Sequence, residues 1–79
     1  MRRIRYRHKR NKRVWGYAYP SGLIDIDPRL GGQSHLDITL HEALHVIFPD
    51  LSEEAVNNAG ITLADLLWRL GYRREHEEG

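Results

Sequence analysis

The chain has 79 residues, no cysteine and a formal net charge of +1. That length allows one domain, whose core alone would supply only about 3–5 kcal/mol. Without cysteine, disulfides and thiolate metal sites are excluded, which leaves a metal held by His and carboxylate, or a homo-oligomer, to add stability. No stretch is long and apolar enough for a transmembrane helix or a secretory signal, so no membrane partner is expected, and the lack of cysteine fits a cytoplasmic protein.

The charges are segregated. Arg2, Arg3, Arg5, Arg7, Lys9, Arg10, Lys12 and Arg13 place eight of the twelve basic residues in the first thirteen positions, and no acidic residue precedes Asp25. A basic arm of this density is an electrostatic footprint for nucleic acid. The same charges also suit a solvated arm or an edge strand kept soluble, and Ile4, Tyr6 and His8 alternate with basic residues as a strand would. The far end is acidic, with Glu75, Glu77 and Glu78 after Tyr72.

Val14 to Tyr19 is β-branched and aromatic and ends at the turn signal Pro20-Ser21-Gly22; Leu23 to Asp27 follows, so residues 14–27 read as a β-hairpin. Pro28 closes the second strand because it cannot donate to a ladder. Arg29 to Gln33, with two adjacent glycines, reads as a loop. Ser34 then stands where a helix N-cap is expected, with Asp37 answering it as in a capping box. Leu36, Leu40, Ala43, Leu44 and Ile47 recur at helical spacing, which predicts a helix over 34–48 that stops before Pro49. Ser52 is placed to cap a second helix over 52–71, with Glu53 and Glu54 where the helix dipole favours negative charge. Val56, Gly60, Leu63, Leu67 and Leu70 form its apolar stripe, and Gly71 is its stop signal. The fold class is therefore α+β, a short antiparallel hairpin or sheet packed on two helices.

Within the first helix lies His41-Glu42-Ala43-Leu44-His45. Histidines four apart share a helix face with Cβ atoms roughly 5–6 Å apart, so two imidazole nitrogens can meet one Zn²⁺. In this H-E-x-x-H pattern the Glu, here Glu42, is not a ligand; it is the general base toward a zinc-bound water and then carries the proton to the leaving amine. The alternative is two surface histidines on an amphipathic helix with a solvated Glu between them.

Catalytic zinc takes three protein ligands and keeps a fourth position open. The extended motif that ends in a third His is absent, since Phe48 and Leu51 hold the glycine and third-His positions. The second helix offers Glu53 and Glu54. With Val56 at the centre of its buried stripe, Glu53 lies about 60° and Glu54 about 160° away, which favours Glu53. The alternative role of either Glu is dipole compensation at a helix start, which needs no metal. Asp50 is a lesser candidate; His8, His35 and His76 are others, of which His35 is six residues from His41, a poor helical match.

Taken together, His41-Glu42-Ala43-Leu44-His45, Phe48-Pro49-Asp50-Leu51-Ser52-Glu53-Glu54-Ala55-Val56 and Leu66-Leu67-Trp68-Arg69-Leu70-Gly71-Tyr72 resemble the small phage-type zincin-like metallopeptidases. They are more distantly similar to the ImmA/IrrE and SprT-like groups. The resemblance implies a minimal gluzincin-like core in a bacterial or phage-infected host cell. Two His and one Glu of the Glu53/Glu54 pair would hold zinc, and Glu42 would be the base. SprT-like proteins act on DNA-bound proteins, which suits a basic arm.

The expected activity is zinc-dependent peptide hydrolysis, with a peptide or protein substrate laid along Leu23 to Asp27 by strand addition. Asp25 and Asp27 would then favour basic substrates, or are simply solvent-facing strand residues; Tyr17, Tyr19 and Tyr72 could each offer a phenol to an oxyanion but read first as packing aromatics. Two rivals remain: a nucleic-acid-binding module with a structural His/Glu zinc, and a metal-free domain that dimerises through Trp15 and Trp68.

Overall fold

In the computed structural model, which describes residues 3–74, the turn at Pro20-Ser21-Gly22 folds the chain back on itself. Gly22 takes φ 93°, a left-handed conformation that glycine adopts without a Cβ penalty, and its amide donates to the Tyr19 carbonyl at 3.0 Å. The turn joins β2 (Gly16–Ala18) to β3 (Leu23–Ile26), which pair antiparallel. A third strand, β1 (Arg5–His8), pairs parallel to the other side of β3. The sheet order is therefore β1-β3-β2, and two helices follow, α1 (Gly32–Ile47) and α2 (Glu53–Arg69). The fold is α+β. Arg2, His76 and the acidic tail lie outside the described residues.

Strand order corrects one expectation. β3 is bonded on both sides, so Leu23 to Asp27 has no free edge for a peptide; β2 and β1 are the edges. Asp25 and Asp27 are not solvent-facing either. Both are buried, Asp27 completely. Arg7 and the Tyr19 hydroxyl donate to Asp25, and Arg29 donates two guanidinium bonds and its amide to Asp27. Buried carboxylates require such partners, and the partners hold both below the ordinary carboxylate range, Asp27 at about 2. They are structural ions and present no charge to a substrate.

α1 starts earlier than its side chains predict. The cap is Gly31 and not Ser34, and no side chain bonds to it. Gly32, at φ 57°, turns the chain into the helix, so backbone freedom replaces a capping hydroxyl. Ser52 does cap α2, its Oγ accepting from the Ala55 amide at 3.1 Å. Beyond α2, Gly71 at φ 95° ends the helix: the Gly71 and Tyr72 amides donate to the carbonyls of Trp68 and Leu67.

α1 lies between the sheet and α2, and α2 touches no strand. A helix in that position uses two faces. His35 and Glu42 are buried beneath the inner face of the sheet, where Ile24 and Ile26 form the core, while the Leu36 to Ile47 stripe is only half covered and Ile47 is exposed. α2 meets α1 through Val56, Gly60 and Ala64, all buried; Leu63 and Leu70 of the expected stripe are exposed. Small residues at four-residue spacing let the two helices approach closely, and a Cβ on Gly60 would lie 3.5 Å from the His41 backbone.

Candidate metal centre

The close helix contact places the start of α2 over the middle of α1. There His41 Nε2 lies 2.8 Å from Glu53 Oε1, and His45 Nε2 lies 2.9 Å from Glu53 Oε2. The two ring nitrogens are 3.2 Å apart. One carboxylate thus meets both imidazoles, one oxygen to each. Of the adjacent glutamates it is Glu53 that turns to the rings; both are exposed, and among the described residues no ion pair joins Glu54 to either ring. Ser52 contributes indirectly, since its cap fixes the first turn that carries Glu53.

The spacing of the two rings is compatible with a shared metal ion. Two ligands of a tetrahedral zinc with bonds of about 2.0–2.1 Å stand about 3.3 Å apart, close to the separation of the two ring nitrogens. His41, Glu42 and His45 could hold a metal ion, each offering a ligand atom within 4.8 Å of the others. The His side chains are 15% and 25% exposed and the Glu53 side chain 72%, so the site opens to solvent on the α2 side.

Glu42 lies on the other side, buried between α1 and β2. Burial pushes its carboxyl above the ordinary range; the imidazoles of His41 and His45 pull it back, and Glu53 adds a further push upward. Gly16 is what makes room for it. A Cβ at that position would fall 2.9 Å from Glu42 Oε2 and 2.6 Å from Ile38 Cγ2. Sequence reasoning does not single out Gly16, because the clash exists only once β2 is laid on α1.

A cleft of about 840 Å³ runs beside the cluster, in the size range of ligand pockets. One wall is the continuous run from Arg13 to Pro20; the other includes Ile38, His41, Glu42, His45, Val46, Pro49 and Glu53. The chain matches no protein-family model, no curated protein and no solved structure. The resemblance to zincin-like peptidases therefore rests on the quoted residues alone.

The remaining candidates are placed elsewhere. His35 is buried, and its Nε2 meets His8 Nε2 at 2.9 Å, between β1 and α1 and away from His41. Asp50 is exposed in the turn between the helices. Tyr19 donates its hydroxyl to Asp25, Tyr17 lines the cleft, and Tyr72 lines a separate groove with Trp68. An arginine of the same chain stacks on one face of each tryptophan, Arg29 on Trp15 at 5.0 Å and Arg73 on Trp68 at 3.3 Å from the ring centre, while Trp15 stays 52% exposed. Within the basic arm, Arg7 is committed to Asp25, and Arg5 donates to the Ser21 carbonyl. Arg3, Lys9, Arg10, Lys12 and Arg13 are exposed.

Proposed function

We propose that this protein is a zinc-dependent metallopeptidase. The observation that carries the proposal is the convergence of His41, His45 and Glu53, with Glu42 buried alongside and a free strand edge across the cleft. His41 and His45, four apart on α1, and Glu53 of α2 would hold the ion. Zinc supplies there a positive charge that acidifies a water and polarises a carbonyl.

The chain's own residues do the rest. Glu42, whose burial raises its affinity for a proton, accepts one from the attacking water at its carboxylate and returns it to the departing amine. β2 orients the substrate. Trp15 and Tyr19 spend main-chain groups on β3, with the Trp15 carbonyl accepting from Asp27 and the Tyr19 amide donating to Leu23. By antiparallel alternation, Gly16 and Ala18 direct theirs to the free edge, where an extended peptide can pair with them.

The test compares wild type with Glu42→Gln, both loaded with zinc, on a broad peptide library. Cleavage by wild type and its loss in a Glu42→Gln protein that still holds zinc is the expected result. Absence of cleavage by a zinc-loaded wild type would overturn the activity. Loss of zinc on Glu42→Gln would instead make Glu42 a ligand of a closed, structural site.

A further inference from the structure

The loop between β1 and β2 carries Lys9, Arg10, Lys12 and Arg13 within five residues, all exposed. None of the four holds an ion pair among the described residues. The loop ends at the cleft: Arg13 lines it and is the only Lys or Arg among its described lining residues. Arg13 therefore brings charge to one end of the groove that holds the His-Glu cluster, and Lys9, Arg10 and Lys12 precede it in the adjoining loop.

The topology says which end of a substrate would reach it. β2 runs from Gly16 beside Glu42 toward Ala18 and the turn, and Arg13 to Trp15 precede it. A peptide pairing with the free edge of β2 prefers the antiparallel direction, which is the more stable ladder. Its C-terminal half then runs back past Gly16 toward Arg13. Asp25 and Asp27 are buried and paired with Arg7 and Arg29, so neither carboxylate lies at the cleft surface, although Lys9 and Arg10 feel them at longer range.

We propose that the Lys9–Arg13 loop makes this site selective for peptides with acidic side chains on the C-terminal side of the bond cleaved, with Arg13 the residue that meets the first carboxylate. The inference rests on the metallopeptidase reading and names its substrate class. Nucleic acid fits the loop less well. What favours a peptide is the place where the loop ends, beside the free edge of β2, whose main-chain groups can pair with an extended peptide and not with a nucleotide chain.

The test measures binding apart from turnover, on zinc-loaded Glu42→Gln protein and on wild type stripped of metal. The probes are extended peptides amidated at the C-terminus, identical in their N-terminal half and acidic, neutral or basic in the other. The acidic peptide should bind about tenfold tighter than the neutral one at low salt, from several partly exposed ion pairs together. Arg13→Ala should cut that contrast severalfold, and Arg10→Glu/Lys12→Glu/Arg13→Glu should reverse it in favour of the basic peptide. Equal affinities, or a contrast that these variants leave unchanged, would overturn the proposal. So would an oligonucleotide whose binding the triple variant abolishes while the peptides show no contrast. An acidic preference in binding with no peptide cleaved by wild type removes the peptidase and keeps the selectivity; cleavage indifferent to charge does the reverse.

Discussion

The Glu42 carboxylate occupies the space that a side chain on Gly16 would need, with Oε2 only 2.9 Å from where the Cβ would stand. Ile38 Cγ2 lies closer still to the same position, at 2.6 Å. Both contacts are shorter than real Cβ atoms show, so a side chain there must displace Glu42, or β2 must move. Gly16→Ala should lower peptidase activity by about 10- to 100-fold, as small misplacements of reacting groups do. Zinc content should stay unchanged, because the three proposed ligands are on the helices. Metal analysis beside a cleavage assay reads both, and full activity in Gly16→Ala would show that Glu42 does not need this seat.

The shared carboxylate of Glu53 separates it from its neighbour. Purified protein should carry about one zinc per chain, and Glu53→Ala should weaken binding on the order of 100-fold, since an open zinc site has only three protein ligands. Glu54→Ala should leave affinity unchanged. Competition with a chromogenic chelator measures all three proteins. Equal losses in the two variants would mean that the helix dipole matters here and not direct coordination.

The cap on α2 links stability to the same centre. Ser52→Ala removes the acceptor of the Ala55 amide and should cost about 1 kcal/mol of stability. Because the first turn carries Glu53, zinc affinity should fall with it. Ser52→Asp, which keeps an acceptor, should restore both in thermal melts and zinc titration.

Asp27 makes an acid-stability prediction. Its folded pKa, about 2, lies below the ordinary value of 3.8 because Arg29 donates to it twice from the side chain and once from the backbone. A depressed carboxylate contributes stability above the unfolded pKa, and that contribution is lost as pH falls through the folded one. The melting temperature should therefore drop between pH 4 and pH 2. Asp27→Asn should lower it at neutral pH and flatten that acid limb. An unchanged limb would assign acid unfolding to other carboxylates, Asp25 foremost.

Local periodicity is written in the chain and was legible without coordinates. The i, i+4 spacing alone puts His41 and His45 on one helix face, the helical angles favour Glu53 over Glu54, and Ser52 and Gly71 mark the ends of α2. These depend on residues a turn or two apart, whose relative positions the helix itself dictates. The start of α1 was less legible, because Gly32 opens it through backbone conformation and no capping side chain signals that.

Everything that depends on which segments meet was decided by the tertiary structure. The interposition of β3 between β1 and β2 removes the expected peptide edge, buries Asp25 and Asp27 and commits Arg7 to an internal pair. His8 meets His35 across 27 residues of chain, and Gly16 meets Glu42 across a sheet-helix contact. Strand order and close approach depend on apolar burial summed over the whole chain, of which Ile24 and Ile26 under the sheet and Val56 between the helices are the fully covered parts. The basic arm shows the division most directly. Its charge is plain in the sequence, but only the fold brings Arg13 to the mouth of the cleft and takes Arg7 away from it.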